Sequence, residues 1–165
     1  MRLKILILLL SLLFFNACSR TVSVSLNNTE NSNLNNRNDD VPITLIIYQL
    51  KDIKKFENAN EVDLIAREDG VLGKDKIDSL KIQLAPQDEN VFIIKIEDEE
   101  VPYIGVLALF ANNTRKITKV WAQTKDANGI WTKSLKFEIT HEGIKRVEEF
   151  SKKTKKKIEK EQNGR

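Results

Sequence analysis

A single thiol carries most of the chemistry this chain could offer. Cys18 is the only cysteine, and it follows a basic start (Arg2, Lys4), an apolar run from Ile5 to Phe15 and the small residue Ala17. A helix spanning a bilayer needs roughly 20 apolar residues. The apolar part of a secretory signal runs about 7–15, and this run is of that kind. Cleavage between Ala17 and Cys18 would leave the cysteine as the new N-terminus. Its sulfur could take a diacylglycerol as a thioether, and its amine a further acyl chain. Residues 1–17 are therefore expected to be a lipoprotein signal, with covalent lipid on Cys18. An ordinary cleaved signal and an uncleaved anchor are the alternatives. With one cysteine, an intramolecular disulfide is excluded.

Other reactive groups are sparse. His141 is the only histidine and lacks the companions a zinc site needs. Glu97-Asp98-Glu99-Glu100 lacks the alternating spacing of a calcium loop, and a solvated turn is expected there. There is no GxSxG, no glycine-rich phosphate loop and no cysteine–histidine pair. No catalytic residue, metal or cofactor beyond the lipid is expected. Without Arg2 and Lys4 the formal charge falls from +3 to near neutrality, so the global balance says nothing about nucleic acid, which is not an expected partner. The basic tract Lys152 to Lys157 reads as a solvated tail or as a contact with anionic headgroups.

The elements that must position these residues are mostly strands. Val22, Val24 and Leu26 alternate with serines, the pattern of a half-buried strand. Ile43 to Leu50 is apolar in both phases, which predicts cover on both faces. Residues 52–68 change period and suit one or two short helices, with Gly70 and Gly73 at the exit. Further strands are expected at Leu80–Leu84, Val91–Ile96, Tyr103–Phe110, Ile117–Thr124 and Ile130–Thr140. Asn128-Gly129 between the last two is a hairpin signal. Trp121 and Trp131 are expected in or half under the sheets. From Glu142 a thin apolar stripe at helical spacing favours a helix, with an eighth strand over Ile144–Phe150 as the alternative.

The fold expected is all-β: a two-sheet sandwich of seven or eight strands, a short helical insertion after the second strand and a possible C-terminal helix. The domains are 1–17, signal; 18–141, lipid-anchored sandwich with its insertion at 52–68; and 142–165, basic helix or tail.

Between the first two strands lies an asparagine-rich stretch, Asn27 to Asp40. Asparagine and aspartate favour turns, and a loop this long is usually functional or disordered. As a binding loop it offers Thr29, Glu30, Asn31, Asn33, Leu34, Asn35, Asn36, Arg37, Asn38, Asp39 and Asp40. Leu34 and Arg37 are its only apolar and basic members. The alternative is that residues 19–41 form one flexible tether.

Several motifs share order and spacing with one family. Ile47-Tyr48-Gln49-Leu50-Lys51-Asp52, then Phe56, Ala59 and Leu64, resembles a strand entering a helical insertion in the TssJ-type outer-membrane lipoproteins of type VI secretion systems. Leu72-Gly73-Lys74-Asp75 resembles the exit from that insertion. Leu84-Ala85-Pro86-Gln87-Asp88 resembles a turn in which Gln87 replaces the family's glycine. Ile104 to Phe110 and Val120-Trp121-Ala122 resemble two of its strands. The resemblance implies a transthyretin-like sandwich lipid-anchored to the outer membrane on its periplasmic side. It implies a scaffold that binds the periplasmic C-terminal region of the inner-membrane TssM component through the loop joining the first two strands. A binding module for a small ligand or envelope polymer is the alternative.

Overall fold

A computed structural model describes residues 20–96, 101–127 and 134–147. Within them, eight strands form two four-stranded sheets. One sheet has the order β4-β1-β7-β8, from β4 (Glu89–Ile96), β1 (Arg20–Asn28), β7 (Leu135–Thr140) and β8 (Gly143–Val147). The other has the order β3-β2-β5-β6, from β3 (Lys76–Leu84), β2 (Ile43–Leu50), β5 (Tyr103–Leu109) and β6 (Lys119–Gln123).

The alternation in β1 does what its period requires. Val22, Val24 and Leu26 are buried between the sheets with Leu135, Phe137 and Ile139 of β7. β1 is an interior strand, antiparallel to β4 and parallel to β7. Residues 20–28 are thus part of the sandwich, which excludes the tether reading for them. β2 splits its apolar residues between two cores. Ile43, Leu45 and Ile47 face the sandwich interior. Ile46, Tyr48 and Leu50 face outward, beneath α1 (Lys54–Asn58) and α2 (Glu61–Leu72), where they meet Phe56, Leu64 and Leu72.

The helical insertion is longer than the expected 52–68. α2 continues to Leu72, and a 3-10 turn follows over Gly73–Asp75. Gly70 lies inside the helix, because burial of Leu72 outweighs the low helix propensity of one glycine. The insertion is also tied down by polar groups. Glu68 accepts hydrogen bonds from Lys76 and, at 2.8 Å, from Ser79 on β3. Burial opposes ionisation of Glu68, but these donors hold its carboxyl below the usual range. Lys119 Nζ donates to the carbonyls of Phe56, Glu57 and Ala59 at 2.6–2.9 Å, closing the C-terminal end of α1.

Gly105 makes room for this second core. A Cβ there would lie 3.0 Å from Leu50 and 3.1 Å from the Phe56 ring. Gly105→Ala is expected to lower stability by about 1–3 kcal/mol through overpacking. Urea unfolding checks this, and an unchanged midpoint would remove Phe56 from its assigned seat.

Two further expectations are corrected. β6 and β7 lie in different sheets, so the segment between them is not a hairpin turn; Asn128 and Gly129 themselves lie outside the described residues. The favoured C-terminal helix from 142 gives way to β8, which pairs antiparallel with β7 from Lys136↔Val147 to Thr140↔Gly143. Burial of Ile144 between the sheets overrides the helical spacing. The sandwich therefore runs past 141, and residues 148–165, with the lysine tract, lie outside the described residues. So do 1–19, Glu97–Glu100 and Trp131.

Candidate binding loop at one pole of the sandwich

The register of the strands sorts the connections onto two poles. Arg20 pairs with Ile96, and Leu50 with Lys76 and Tyr103, at one pole. At the other, Asn28 donates from Nδ2 to Ala85 O at 2.7 Å, and Ile43 pairs with Leu84. That second pole carries residues 29–42, the Pro86 turn, residues 110–118 and the β7–β8 turn. β1 connects the poles. Its eight residue steps, at about 3.3 Å each, span roughly 26 Å.

Residues 29–42 form a small, braced hairpin. Val41 N–H donates to Asn33 O, Leu34 bridges Asp40, and Asn35 N–H donates to Asp39 O. Asp40 accepts from the backbone N–H of Asn31 at 2.7 Å and of Asn33 at 3.3 Å. Asn35 Oδ1 accepts from the N–H of Arg37 at 2.8 Å and of Asp39 at 3.0 Å, closing the tip. Asn31 and Asn38 hold φ of 57° and 62°, a region asparagine enters more readily than most residues. At the base, Thr29 Oγ1 donates to Ile139 O at 2.8 Å, and Ser32 Oγ to Asn28 Oδ1 at 2.5 Å.

Asn33 is the staple. It is 2% exposed. Its Nδ2 donates to the carbonyls of Val41 and Pro42 at 3.1 and 3.0 Å, and its Oδ1 accepts from Ala111 N–H at 2.7 Å. Lys116 Nζ reaches back to Ser32 O at 2.8 Å while lying 4.5 Å from the Phe110 ring centre. Burial pushes the Lys116 pKa down. Glu61, opening α2, receives Asn113 Nδ2 at 3.0 Å and Thr118 Oγ1 at 2.6 Å. These bonds join the hairpin, residues 110–118 and the start of α2 into one surface at this pole.

Residues 20–142 match the type VI secretion lipoprotein family that includes VasD, EvfM and TssJ. The chain belongs to this family. It is a membrane-associated structural lipoprotein of type VI secretion. Solved structures share its fold. TssJ1 from Pseudomonas aeruginosa aligns with a TM-score of 0.67 at 20% identity, over 79% of this chain and 97% of that one. A chain of a type VI membrane complex gives 0.69 at 21%, over 78% and 98%. A chain in a structure of the TssM C-terminal domain from EAEC gives 0.63 at 17%, again over 78% and 98%. At these identities the likeness bears on the fold alone. No curated protein matches the sequence.

Among the candidate residues of this type VI secretion lipoprotein, the structure separates builders from presenters. Asn33, Asn35, Asp39 and Asp40 hold the hairpin with their side chains, Asn31, Arg37 and Asn38 contribute backbone N–H groups to it, and Leu34 is half-buried. The side chains of Glu30, Asn36, Arg37 and Asn38 face solvent. Lys116 and Glu61 were not expected from sequence. Each acts across more than 50 residues, which no local pattern encodes. His141 is exposed beside Glu142. Trp121 is half-buried and donates to Glu57 at 2.6 Å. No cluster of metal-ligating side chains, and no helix long and apolar enough to cross a membrane, is found among the described residues.

Proposed function

We propose that this lipoprotein fastens a type VI secretion complex to the outer membrane from its periplasmic side. Lipid on Cys18 holds the protein at one end. The β1–β2 hairpin binds the periplasmic C-terminal region of a TssM-type inner-membrane component at the other. One observation carries this reading: β1 starts at Arg20, two residues after Cys18, and ends in the hairpin about 26 Å away. Anchor and binding loop thus leave opposite ends of one strand, so a partner can reach the hairpin while the lipid is buried in the leaflet. Membership of the family supports the role. The occurrence of the fold in a type VI membrane complex supports it further.

Binding residues tend to sit on loops held by a rigid scaffold, and arginine is enriched among interface residues that dominate affinity. Replacing the presenting tip Asn36-Arg37-Asn38 by Gly-Ser-Gly leaves Asn33 and Asp40 in place. The expected result is at least about tenfold weaker binding to the partner's periplasmic domain, or about 1.4 kcal/mol, with an unchanged melting temperature. Unchanged affinity would refute the loop assignment.

A further inference from the structure

The two sheets are joined unequally. On one side, Ile117 donates its N–H to Glu142 O at 3.1 Å and accepts from Ile144 N–H at 2.7 Å, so the segment before β6 is bonded to β8. On the other side, β3 and β4 are both edge strands. They meet at the Pro86 turn and part toward the pole where β1 begins. A groove of about 510 Å³ opens between them, lined by Ile77, Asp78 and Leu80 of β3 and Ile93, Ile94 and Lys95 of β4.

Its lining mixes apolar side chains with Gln49, Asp78, Ser79 and Lys95, and three of the apolar ones are exposed. Leu80, opposite inward-facing Ile47, is 44% exposed on the groove side, Ile77 beside it is 36% exposed, and Ile93, opposite Ser23, is 74% exposed on the outer face of the same edge. Isolated exposed apolar residues are ordinary, but a group on adjoining free edges marks an interaction surface. The location restricts what can cover it. Ile94 and Lys95 are in register with Val22 and Thr21 of β1. Thr21 is three residues from Cys18, a chain length of roughly 10 Å at full extension. Whatever receives the acyl chains of Cys18 therefore lies beside this groove. The opposite pole faces away from it.

We infer that the β3–β4 edge rests on the leaflet that holds the lipid anchor, with Ile77, Leu80 and Ile93 entering its interfacial region. This inference rests on lipidation of Cys18. It assigns the domain a fixed tilt, open edge toward the membrane and the Ile117–Gly143 side away. Apolar side chains at the headgroup boundary add to an anchor in the way paired membrane signals do. The tilt presents the hairpin to one side rather than straight up from the surface.

The test uses the mature, lipidated protein in vesicles of phosphatidylethanolamine and phosphatidylglycerol. With Cys18 acylated, an introduced cysteine is the one free thiol. A fluorophore is placed at Leu80→Cys, Ile93→Cys, Asn36→Cys or Val62→Cys, all at exposed positions. Brominated lipids are expected to quench the probes at 80 and 93 and leave those at 36 and 62 unaffected, whereas aqueous iodide does the reverse. Equal lipid quenching at all four positions, or none at any, overturns the inference. Shielding of 80 and 93 from both quenchers also overturns it, and points to a second copy of the chain or another protein on this edge. Flotation separates this failure from that of the anchor. Protein that floats with vesicles but is not quenched at 80 and 93 keeps its anchor and loses the tilt. Protein that does not float, and lacks the lipid mass, loses both.

Discussion

Gly143→Ala is expected to destabilise the sandwich by at least about 3 kcal/mol, the sum of overpacking and left-handed strain. Gly143 holds φ at 124°, a conformation side chains rarely adopt. A Cβ would sit 2.2 Å from Ile117 O and 2.4 Å from Ile117 N, against backbone that cannot rotate away. Relief requires β8 to withdraw from Ile117, breaking the two hydrogen bonds that join the sheets on that side. The loss should appear as a drop in melting temperature on the order of 10 °C for a domain of this size. Gly70→Ala is the internal control. Nothing lies within 4 Å of a Cβ at that helical position, so alanine should be neutral or slightly stabilising. If both variants melted like the parent chain, the close approach of Gly143 to Ile117 would be wrong.

Cys18→Ser should have the largest functional effect. Serine has no thiol to alkylate, so the chain would carry no acyl groups. Each buried methylene contributes about 0.8 kcal/mol, and a single myristoyl chain already gives only marginal binding. Three chains make attachment effectively permanent, and removing all of them removes it. The expected result is loss of flotation with membranes and loss of secretion, with solution binding of the partner's periplasmic domain unchanged. The pairing matters, because the β1–β2 hairpin is built entirely from residues downstream of Arg20. Secretion by the serine variant would overturn the anchoring role, and weaker solution binding would mean the lipid end shapes the hairpin.

What could be read in advance depended on how far each signal reached along the chain. β1, β2 and β5 were legible because burial imprints a period on neighbouring residues. Val22, Val24 and Leu26 show cover on one face, and Ile43 to Leu50 shows cover on two. The partner strand left no such imprint. Asn128-Gly129 suggested a local hairpin, yet β6 and β7 pair within different sheets. At 143–147 a helical stripe and a strand both fit five residues, and Ile144's place between the sheets decided for the strand. Gln87 is instructive in another way. It stands where the resemblance led one to expect a glycine, and it takes φ of 61°, a conformation glycine enters freely. The hairpin's location was visible in the run of asparagines. Its rigidity was not, because Asn33 and Lys116 brace it against residues 78 and 84 positions away.

With lipid on Cys18 and a partner on the hairpin, as proposed, β1 would also carry the load through the molecule. Its first residue comes two positions after Cys18, the proposed site of lipid attachment, and its last opens the hairpin. Tension between a partner gripping the hairpin and lipid gripping the leaflet would run along nine residues of covalent backbone. The other strands would not be links in series with that line. They would sheath it, with β4 and β7 bonded along its flanks and loaded in shear rather than peeled one bond at a time. The helical insertion and the open β3–β4 edge would lie off the line of pull. They could loosen without lengthening the connection between the membranes.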